Sequence, residues 1–462
     1  MSEALSSPEK WAQAEFGVAP LGDARRTRRL VQIAEQLAAN PGGTLPQAFS
    51  TWAELKAAYR LFDQPQVGFQ QVITSHLERA RAACARPGEY LLIEDTTLLD
   101  YSGHPQTEGL GVIGDGRGRG FELHTTLAVR VEQWTPEQRP QGTLVGLFDQ
   151  QCLRPQPAPK GESRGQRLAR PRKSQRWAAG LKAMPAAPPA ARWIFVADCE
   201  ADFYEPMQVC QRQGIDFIIR SFQDRRLADG QTHLRDALNG AEVTGQSTVE
   251  VSARPGQPAR SARLEVRAVV VDLDGPWRPG GWQAPLRQVT AIELRETDPP
   301  QGVEEPLRWV LLTSLACASW EQIQRVVGRY TARWWIEEYH KALKSGTRVE
   351  ASQLESAGRL EPLIAILALV AARLLTAKLL ARGEPAGRAS VESFGPEIVA
   401  LLEKKFGVPK AGWTNQNLLT AIARLGGFPA RKSDGLPGWQ TIWRGWHRLL
   451  WMAQALDLTA NR

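Results

Sequence analysis

Residues Tyr330 to Lys344 read YTARWWIEEYHKALK, and their polar side chains recur at helical spacing. On a helix of 3.6 residues per turn, Tyr330, Arg333, Glu337 and Lys344 fall within about 60° of one another. A helix face that packs into a core is apolar, so this polar stripe is not built for packing. A carboxylate among cations is typical of a metal ligand beside phosphate contacts, or of a solvated face with i,i+4 ion pairs.

Length, composition and charge set the first limits on function. A chain of 462 residues is expected to form about three domains. Its apolar content of 43% and charged content of 23% are ordinary for a globular protein that buries large cores. A net charge of +8 and a pI of about 9.4 favour a polyanionic partner such as nucleic acid.

Cysteine usage and apolar segments indicate the compartment. The five cysteines show no CxxC spacing, which argues against a zinc site or a disulfide framework and is typical of a reducing cytoplasm. No basic region followed by an apolar run opens the sequence, so we expect no signal peptide. The most apolar segment, Leu363 to Leu380, is interrupted by Arg373 and Lys378, which favours a buried helix over a membrane span.

The N-terminal region is predicted to be helical and rich in arginine. Asp23 can cap a helix, and a further amphipathic helix is expected from Thr51 to Phe62. Cations crowd the first two turns of the Asp23 helix: Arg25, Arg26, Arg28 and Arg29. Because cations at a helix N-terminus oppose the macrodipole, this cluster suggests an external anion. It predicts a DNA-contacting helix, with a solvated charged face as the alternative.

Two predicted buried strands end in acidic residues. The first, Tyr90 to Ile93, is followed by Glu94 and Asp95, and the second, Trp193 to Ala197, is followed by Asp198. Strands of this kind deliver carboxylates to the edge of a sheet.

Further acids follow Asp198 and need a separate interpretation. Glu200 and Asp202 lie in the first turn of the next helix, where carboxylates favour the helix dipole regardless of function, so Asp198 is the preferred candidate. A short strand, Phe217 to Ile219, brings Arg220 to the same edge.

Most of the remaining central region is predicted to be β structure. Leu123 to Val131 and Gly142 to Phe148 alternate and predict an antiparallel pair, whereas Gly109 to Gly120 is expected to be a flexible loop. Between residues 222 and 315, short alternating runs separated by Pro and Gly predict an antiparallel β insertion. Trp309 lies in its last strand, and both a core role and a functional role are open for it.

The C-terminal region is predicted to be a helical tail after a Gly/Pro-rich break. Trp439, Trp443 and Trp446 follow a 4- then 3-residue spacing. Such an aromatic stripe is typical of core packing or of a subunit interface.

Asp95, Asp198 and Glu337 form the candidate chemical set, with two acids at strand ends and one on a helix face. Two hard cations close together need several carboxylate oxygens, so this set suits a two-metal site. Paired carboxylates could also serve a glycosidase, but the cationic stripe and the basic charge fit phosphate better.

With these motifs the chain resembles the bacterial cut-and-paste DDE transposases with the Y-R-E-K signature, an insertion-sequence family that includes hairpin-forming transposases. The signature corresponds to Tyr330-x2-Arg333-x3-Glu337-x6-Lys344, with the spacing of the family. Three further motifs match in the same order, so the resemblance covers nearly the whole chain: LGDARR at Leu21 to Arg26, IEDTT at Ile93 to Thr97 and ARLGGF at Ala423 to Phe428. Cys199, where relatives often carry Arg, and Trp335, at a usually polar position, depart from the pattern without removing a metal ligand.

The resemblance implies an α/β fold with a ribonuclease-H-like catalytic core that carries the antiparallel β insertion, flanked by helical N- and C-terminal domains. The implied boundaries are a DNA-binding domain at residues 1–68, a catalytic domain at 69–380 with the insertion at about 222–315, and a dimerisation domain at 381–462.

The resemblance also implies roles for the site residues. Asp95, Asp198 and Glu337 would be the catalytic triad and the ligands of two Mg²⁺ ions, for which Mn²⁺ can substitute. Trp309 would match a tryptophan that receives a flipped base, and Trp334 a second tryptophan near that base. The other expected DNA contacts are cationic or phenolic side chains: Tyr330, Arg333, Lys344, Lys341, Arg220, Arg25, Arg26, Arg28 and Arg29.

The implied function is that of a DNA transposase, cytoplasmic and associated with the nucleoid. It would bind the terminal inverted repeats of its own element as a homodimer, cleave them through hairpin intermediates and join the 3′ ends to target DNA. Neither a membrane nor a small-molecule substrate is expected. Two alternatives stay open: a metal-dependent, structure-specific nuclease without strand transfer, and a non-catalytic end-binding regulator, which would not need the three acids.

Overall fold

The computed structural model describes residues 7–157, 159, 161–163, 173–251, 259–278, 281–300, 303, 306–382, 396–410, 412–431, 434–435, 437–438, 441–442, 444–446, 448–449 and 451–453. Trp439, Trp443 and most of residues 158–172 lie outside the described residues.

Within that part of the chain the α-helices are α1 (Pro8–Phe16), α2 (Ala24–Ala39), α3 (Leu45–Ala48), α4 (Trp52–Phe62), α5 (Phe69–Cys84), α6 (Lys173–Ala183), α7 (Tyr204–Gln213), α8 (Leu234–Gly240), α9 (Trp320–Thr331), α10 (Trp334–Lys341), α11 (Ala357–Arg382), α12 (Pro396–Phe406) and α13 (Asn415–Leu425). A π-helical turn, Ala342–Gly346, directly follows α10, and short 3₁₀ turns lie at Cys199–Ala201 and Val349–Ala351.

The strands are β1 (Gly88–Asp100), β2 (Gly111–Ile113), β3 (Gly118–Trp134), β4 (Pro140–Leu153), β5 (Ala191–Ala197), β6 (Asp216–Ser221), β7 (Val243–Val251), β8 (Arg260–Leu273), β9 (Trp277–Arg278), β10 (Gly281–Trp282), β11 (Leu286–Glu296) and β12 (Arg308–Thr313). Except for the β9–β10 pair, they form one ten-stranded sheet in the order β2-β3-β1-β5-β6-β12-β11-β8-β7, with β4 also paired to β3.

The centre of the sheet changes from antiparallel to parallel pairing at β1. On one side, β1 pairs antiparallel with β3, which pairs antiparallel with β4. On the other side, β1 is parallel to β5, and β5 is parallel to β6. The sequence analysis correctly predicted the antiparallel β3–β4 pair and the two buried strands β1 and β5.

The predicted β insertion is present, and it extends the central sheet. Strand β12 pairs antiparallel with β6, and β11, β8 and β7 continue outward from it. The expectation of a flexible loop at Gly109 to Gly120 was wrong, because β2 and the start of β3 form an antiparallel pair there.

Helices cover both faces of the sheet. Alternation along the strands sends Leu91 and Ile93 into one apolar core and Tyr90 and Leu92 into the other, as the two-residue period of a strand requires. We call the first the N-terminal face, because helices α1 to α5 pack there together with α9, α10 and α11. The helices of the other face include α6, α7 and α8.

The N-terminal helices share the first core with the sheet. As the sequence predicts, Asp23 caps α2 by accepting from the Arg25 N–H at 2.8 Å. Thr51 caps α4 in a capping box with Glu54. The buried residues of α1, α2 and α4 belong to the same cluster as those of β1 and α11. These helices are therefore stabilised by contact with the rest of the chain.

Helix α11 is the buried helix predicted from the apolar run at Leu363 to Leu380. Ala357–Leu379 is long and apolar enough to cross a membrane by length and composition, but 83% of its most apolar window is buried in the fold. Beyond it, residues of α12, α13 and the C-terminal segment, including Trp446, form a smaller separate core.

Candidate active site

Strand alternation brings four of the predicted site residues to the N-terminal face of the sheet. Asp95 continues the series of Leu91 and Ile93, and Asp198 follows Val196 in β5 by two residues. By the same period, Arg220 lies two residues beyond Ile218 in β6, and Trp309 two residues before Leu311 in β12. Strands β1, β5, β6 and β12 are neighbours, so the four side chains lie in one band across the sheet.

Asp95 and Asp198 are adjacent across the β1–β5 pair. The last paired residues are Glu94 and Ala197, so each acid comes directly after a member of that pair. The Asp198 carboxylate accepts a hydrogen bond from the Glu200 N–H at 2.8 Å and caps the turn Cys199–Ala201. Asp198 therefore stands where the shorter strand ends beside the longer one.

The prediction that Asp95 ends its strand was wrong. Strand β1 continues to Asp100, because residues 95 to 100 keep pairing with β3 after β5 has ended. The apolar run in the sequence stops at Ile93, but backbone pairing with β3 does not depend on apolar side chains.

Glu337 reaches Asp95 from α10, which covers this face. The prediction of one continuous helix from Tyr330 to Lys344 was wrong: the α-helix is interrupted at Ala332 and Arg333, and Lys344 lies in the π-helical turn. Neither Gly nor Pro marks the interruption. Helix α9, which carries Tyr330, packs so closely on the β3–β4 turn that a Cβ at Gly328 would lie 2.1 Å from the Gln138 carbonyl oxygen.

Arg333 links the acids at the interruption. Its guanidinium donates to an Asp95 oxygen at 3.2 Å and to a Glu337 oxygen at 3.3 Å, and its side chain is only 14% exposed. Asp95 also accepts from the Thr96 N–H at 2.7 Å. These contacts hold a strand carboxylate and a helix carboxylate together, with partial neutralisation by one cation.

The electrostatics of Asp95 show how closely the acids are set. Burial and, next, the neighbouring Asp198 raise the pKa of Asp95 to about 7, against the lowering effect of Arg333. Glu337 contributes in the same raising direction. The Arg333 guanidinium alone therefore does not neutralise the negative charge of the acids, and a further cation bound beside them would be stabilised.

A histidine joins the same cluster. One ring nitrogen of His340 and one carboxylate oxygen each of Asp95 and Glu337 lie within 4.8 Å of one another. Burial lowers the pKa of His340 to about 3, and Lys344 and Arg333 act in the same direction, so the imidazole is neutral. His340 lies within the Tyr330 to Lys344 motif, and no role was predicted for it from sequence. The detectable signal was Glu337-x-x-His340, a spacing that places both side chains on one helix face.

Tyr330, Trp309 and Arg220 form a group beside the acids. The Trp309 and Tyr330 rings contact edge to face, with centroids 5.5 Å apart. Tyr330 is buried, which raises the pKa of its phenol, whereas Arg333 and Arg220 act to lower that pKa. Trp309 is partly buried and packs against the core, so its ring is neither fully enclosed nor freely exposed.

The three remaining candidates near the acids face outward to different degrees. Trp334 is 59% exposed at the start of α10, and Lys341 is exposed at its end. Lys344 lies 3.7 Å from a Glu350 oxygen in a half-exposed ion pair. Lys341 and Trp334 are accessible to a large ligand that approaches this face.

The N-terminal arginines lie on α2, in a separate region of the chain. Arg25 is 84% exposed and pairs with Asp23. Arg26 donates to the Leu21 carbonyl at 3.1 Å, Arg28 is exposed and Arg29 is half-buried. The cluster therefore presents accessible cations beside partly engaged ones.

The choice of Asp198 over Asp202 has a structural reason. Asp202 is fully buried, forms an ion pair with Arg225, and accepts from Ser221 Oγ at 2.9 Å and the Phe222 N–H at 3.0 Å. Its carboxylate oxygens are therefore occupied by hydrogen bonds to the end of β6 and the loop that follows it. Glu200, two residues after Asp198, is exposed.

Comparison with known proteins adds information on the N-terminal helices. Residues 8–67 match the family model described as Transposase DNA-binding. The match spans α1 to α4 and contains all four predicted arginines, and it supports a DNA-binding transposase. Among solved structures, a cryo-EM structure of the piggyBac transposase synaptic complex with hairpin DNA aligns over 95% of this chain and 84% of that chain. With 8% identity and a TM-score of 0.37, that similarity is too low to support an argument.

Proposed function

We propose that this protein is a DNA transposase that binds the terminal inverted repeats of its own element, cleaves them through hairpin intermediates and joins the 3′ ends to target DNA. The observation that carries the proposal is the proximity of Asp95 to Asp198, across β1 and β5, and to Glu337 on α10, in a chain whose N-terminal helices match a transposase DNA-binding model. Acids drawn from positions as distant as 95 and 337 indicate a chemical site rather than local charge pairing.

The strand order supports a ribonuclease-H-like core. Three antiparallel strands, β4, β3 and β1, are followed by β5 and β6 parallel to β1, with helices on both faces. In this arrangement the acids of β1 and β5 meet at adjacent strands, and a helix brings the third acid from above.

The donor set fits two Mg²⁺ ions, with Mn²⁺ as a substitute. Its carboxylate oxygens are hard ligands. The raised pKa of Asp95 reflects its burial first and then the negative charge of Asp198 and Glu337, which Arg333 does not fully offset. Asp95, Asp198 and Glu337 would hold the ions. When bound, two such ions supply activation of a water or a 3′ hydroxyl and stabilisation of the leaving oxygen.

The cations around the acids would bind the DNA backbone. Arg333 keeps donors beyond those given to Asp95 and Glu337, since a guanidinium has five N–H groups. Arg220, Lys341 and Lys344 surround the site and would fix the phosphates flanking the scissile bond, while the Tyr330 phenol would donate to one of them. A buried Asp95, with the partly exposed Asp198 and Glu337 beside it and cations around them, favours a polyanion whose backbone reaches the acids at one point.

Trp309 and Trp334 would hold the base that must leave the duplex before a hairpin can close. Stacking of an extruded base on an aromatic ring is a common way to hold it. The partly buried Trp309 offers a ring positioned by Tyr330, and the exposed Trp334 offers a second surface on the helix that carries Glu337.

The remaining parts of the proposal concern assembly. The arginines of α2 would contact the inverted repeats, and the C-terminal helices would pair two copies on paired ends. The basic chain without CxxC spacing suits a cytoplasmic, nucleoid-associated protein.

The test is an incubation of the full chain with labelled inverted repeats that flank its own gene, a target plasmid and Mg²⁺. Nicked, hairpin and joined products on a denaturing gel are expected. Cleavage without joining would identify a structure-specific nuclease, and binding without cleavage would identify an end-binding regulator. Omission of the divalent ion should leave the end DNA bound and intact.

A further inference from the structure

We propose that His340 is a nitrogen ligand of the metal site, beside Asp95 and Glu337. The inference rests on the proposed function and adds a residue to it. The three candidate donor atoms lie within 4.8 Å of one another, and two oxygens bound to one Mg²⁺ are separated by up to about 4 Å. Small side-chain shifts would therefore bring all three to one ion.

The hydrogen bonding of His340 is the second and independent observation. Its side chain is buried, with the residue only 7% exposed, yet no described residue forms a hydrogen bond with its Nε2 atom. Buried polar atoms nearly always have a partner, so an unpartnered nitrogen on a ring that lies beside two carboxylates needs an explanation. A bound metal ion would be the missing partner of the ring, since an imidazole that ligates a metal takes one defined orientation and tautomer.

The other buried histidines of the fold form an internal comparison. His76 contacts Glu15 at 2.7 Å and accepts from the Leu147 N–H at 2.9 Å. His124 contacts Glu94 at 2.8 Å and Thr96 Oγ1 at 2.7 Å. Both rings use two nitrogens and serve the packing of the fold. His340 differs from them in having an unused nitrogen while lying beside two carboxylates.

The position of His340 on its helix fits the role. Glu337 and His340 are three residues apart on α10, so both side chains project from one face toward β1. Pairs of the type Glu-x-x-His are used on helices to bind two-metal carboxylate sites.

A nitrogen donor would alter the preference of the site among metals. Imidazole binds Mn²⁺ and later transition metals better than it binds Mg²⁺. Replacement of His340 by Gln should therefore weaken Mn²⁺ binding by about tenfold and weaken Mg²⁺ binding less. Calorimetric titration of the full chain with each metal alone measures this difference without any DNA.

The decisive experiment is pulsed electron paramagnetic resonance of Mn²⁺ bound to the full chain labelled with ¹⁵N-histidine. Hyperfine coupling to an imidazole nitrogen is expected in the unaltered protein, is lost in His340→Gln and is kept in His233→Gln, which changes an exposed histidine. Bound Mn²⁺ without nitrogen coupling would overturn the inference, as would coupling that survives His340→Gln.

A separate variant distinguishes failure of this inference from failure of the proposed function. Asp95→Asn should weaken Mn²⁺ binding whether or not His340 is a ligand. If Asp95→Asn leaves Mn²⁺ affinity unchanged, the acids do not hold the ion and both proposals fail. If His340→Gln does not fold, the labelled unaltered protein alone still decides whether a histidine nitrogen binds the metal.

Discussion

Arginines occupy two regions of this protein in opposite ways. On α2, Arg25 is 84% exposed and its ion-pair partner, Asp23, is two residues away. Between α9 and α10, Arg333 is 14% exposed and bonds to Asp95, which is 238 residues away in sequence. Both were predicted as DNA contacts from sequence, yet their surroundings give them different physical tasks.

The difference separates binding from chemistry. Exposed cations on α2 are available to the phosphates of any duplex and would supply salt-dependent affinity. Arg333 is part of an acidic cluster, where it offsets repulsion between carboxylates before it can contact DNA. Variants in the two regions should therefore affect different measurements.

The largest effect is expected from Asp95→Asn. Loss of a carboxylate ligand removes several kcal/mol of transition-state stabilisation, so the cleavage rate should fall by about a thousandfold or more. End binding should persist, because the α2 region is unchanged. Rates on pre-bound end DNA measure the first effect, and a filter or gel-shift titration measures the second. A variant that cleaves normally would exclude Asp95 from the site.

The stability of the same variant sharpens the comparison. With metal removed by chelation, a pKa raised from 3.8 to about 7 means that the folded state binds the proton more tightly than the unfolded state. The contribution of Asp95 to stability therefore decreases as pH rises from about 4 to about 7. Asp95→Asn should melt at a higher temperature than the unaltered protein at pH 8, with a smaller difference at pH 5. Equal melting temperatures of the two proteins at pH 8 would contradict the raised pKa of Asp95.

An intermediate effect is expected from Trp309→Ala. Stacking on an aromatic ring stabilises a flipped base by about 1 to 3 kcal/mol, so hairpin formation should slow by roughly tenfold to a hundredfold while the first nick is nearly unchanged. Trp277→Ala, which alters an exposed tryptophan on the β9–β10 pair, is the control. Equal loss of both steps with a large fall in melting temperature would instead assign Trp309 to the core.

The smallest effects are expected from single exposed cations. Arg25→Ala and Lys344→Ala should each reduce the magnitude of the salt slope of end binding by roughly one unit. Arg25→Ala should leave the cleavage rate of the bound complex unchanged, whereas Arg333→Ala should lower it. Unaltered slopes would favour the solvated-face alternative for both regions. Point variants suit this test better than deletion of residues 1–68, because α1, α2 and α4 share their core with β1.

Local sequence patterns were sufficient for much of the architecture. Apolar runs located β1 and β5, and alternation located β7, β8, β11 and β12. A capping residue located α2, and an amphipathic pattern located α4. These features depend on neighbours along the chain. Asp198 was selected over Asp202 by its place after a strand, and the ion pair of Asp202 with Arg225 gives a physical reason for that choice.

Long-range contacts decided the rest, and local patterns do not contain them. The interruption of the helix at Arg333 occurs without Gly or Pro, where its guanidinium contacts Asp95 and Glu337. Asp95 lies inside β1 because β3 continues to pair with it. His340 has an ordinary helical context in sequence, and only the fold reveals that its ring is buried beside two carboxylates.

The central claim is that Asp198 acts with Asp95 and Glu337 in one metal-dependent site, and a matched pair of variants tests it most directly. Asp198→Asn removes one negative charge from a site acid. Glu200→Gln removes one negative charge from an exposed acid two residues away. On pre-bound inverted-repeat DNA with Mg²⁺, we expect no cleavage by Asp198→Asn and full cleavage by Glu200→Gln. Cleavage at the same rate by both variants would contradict the account.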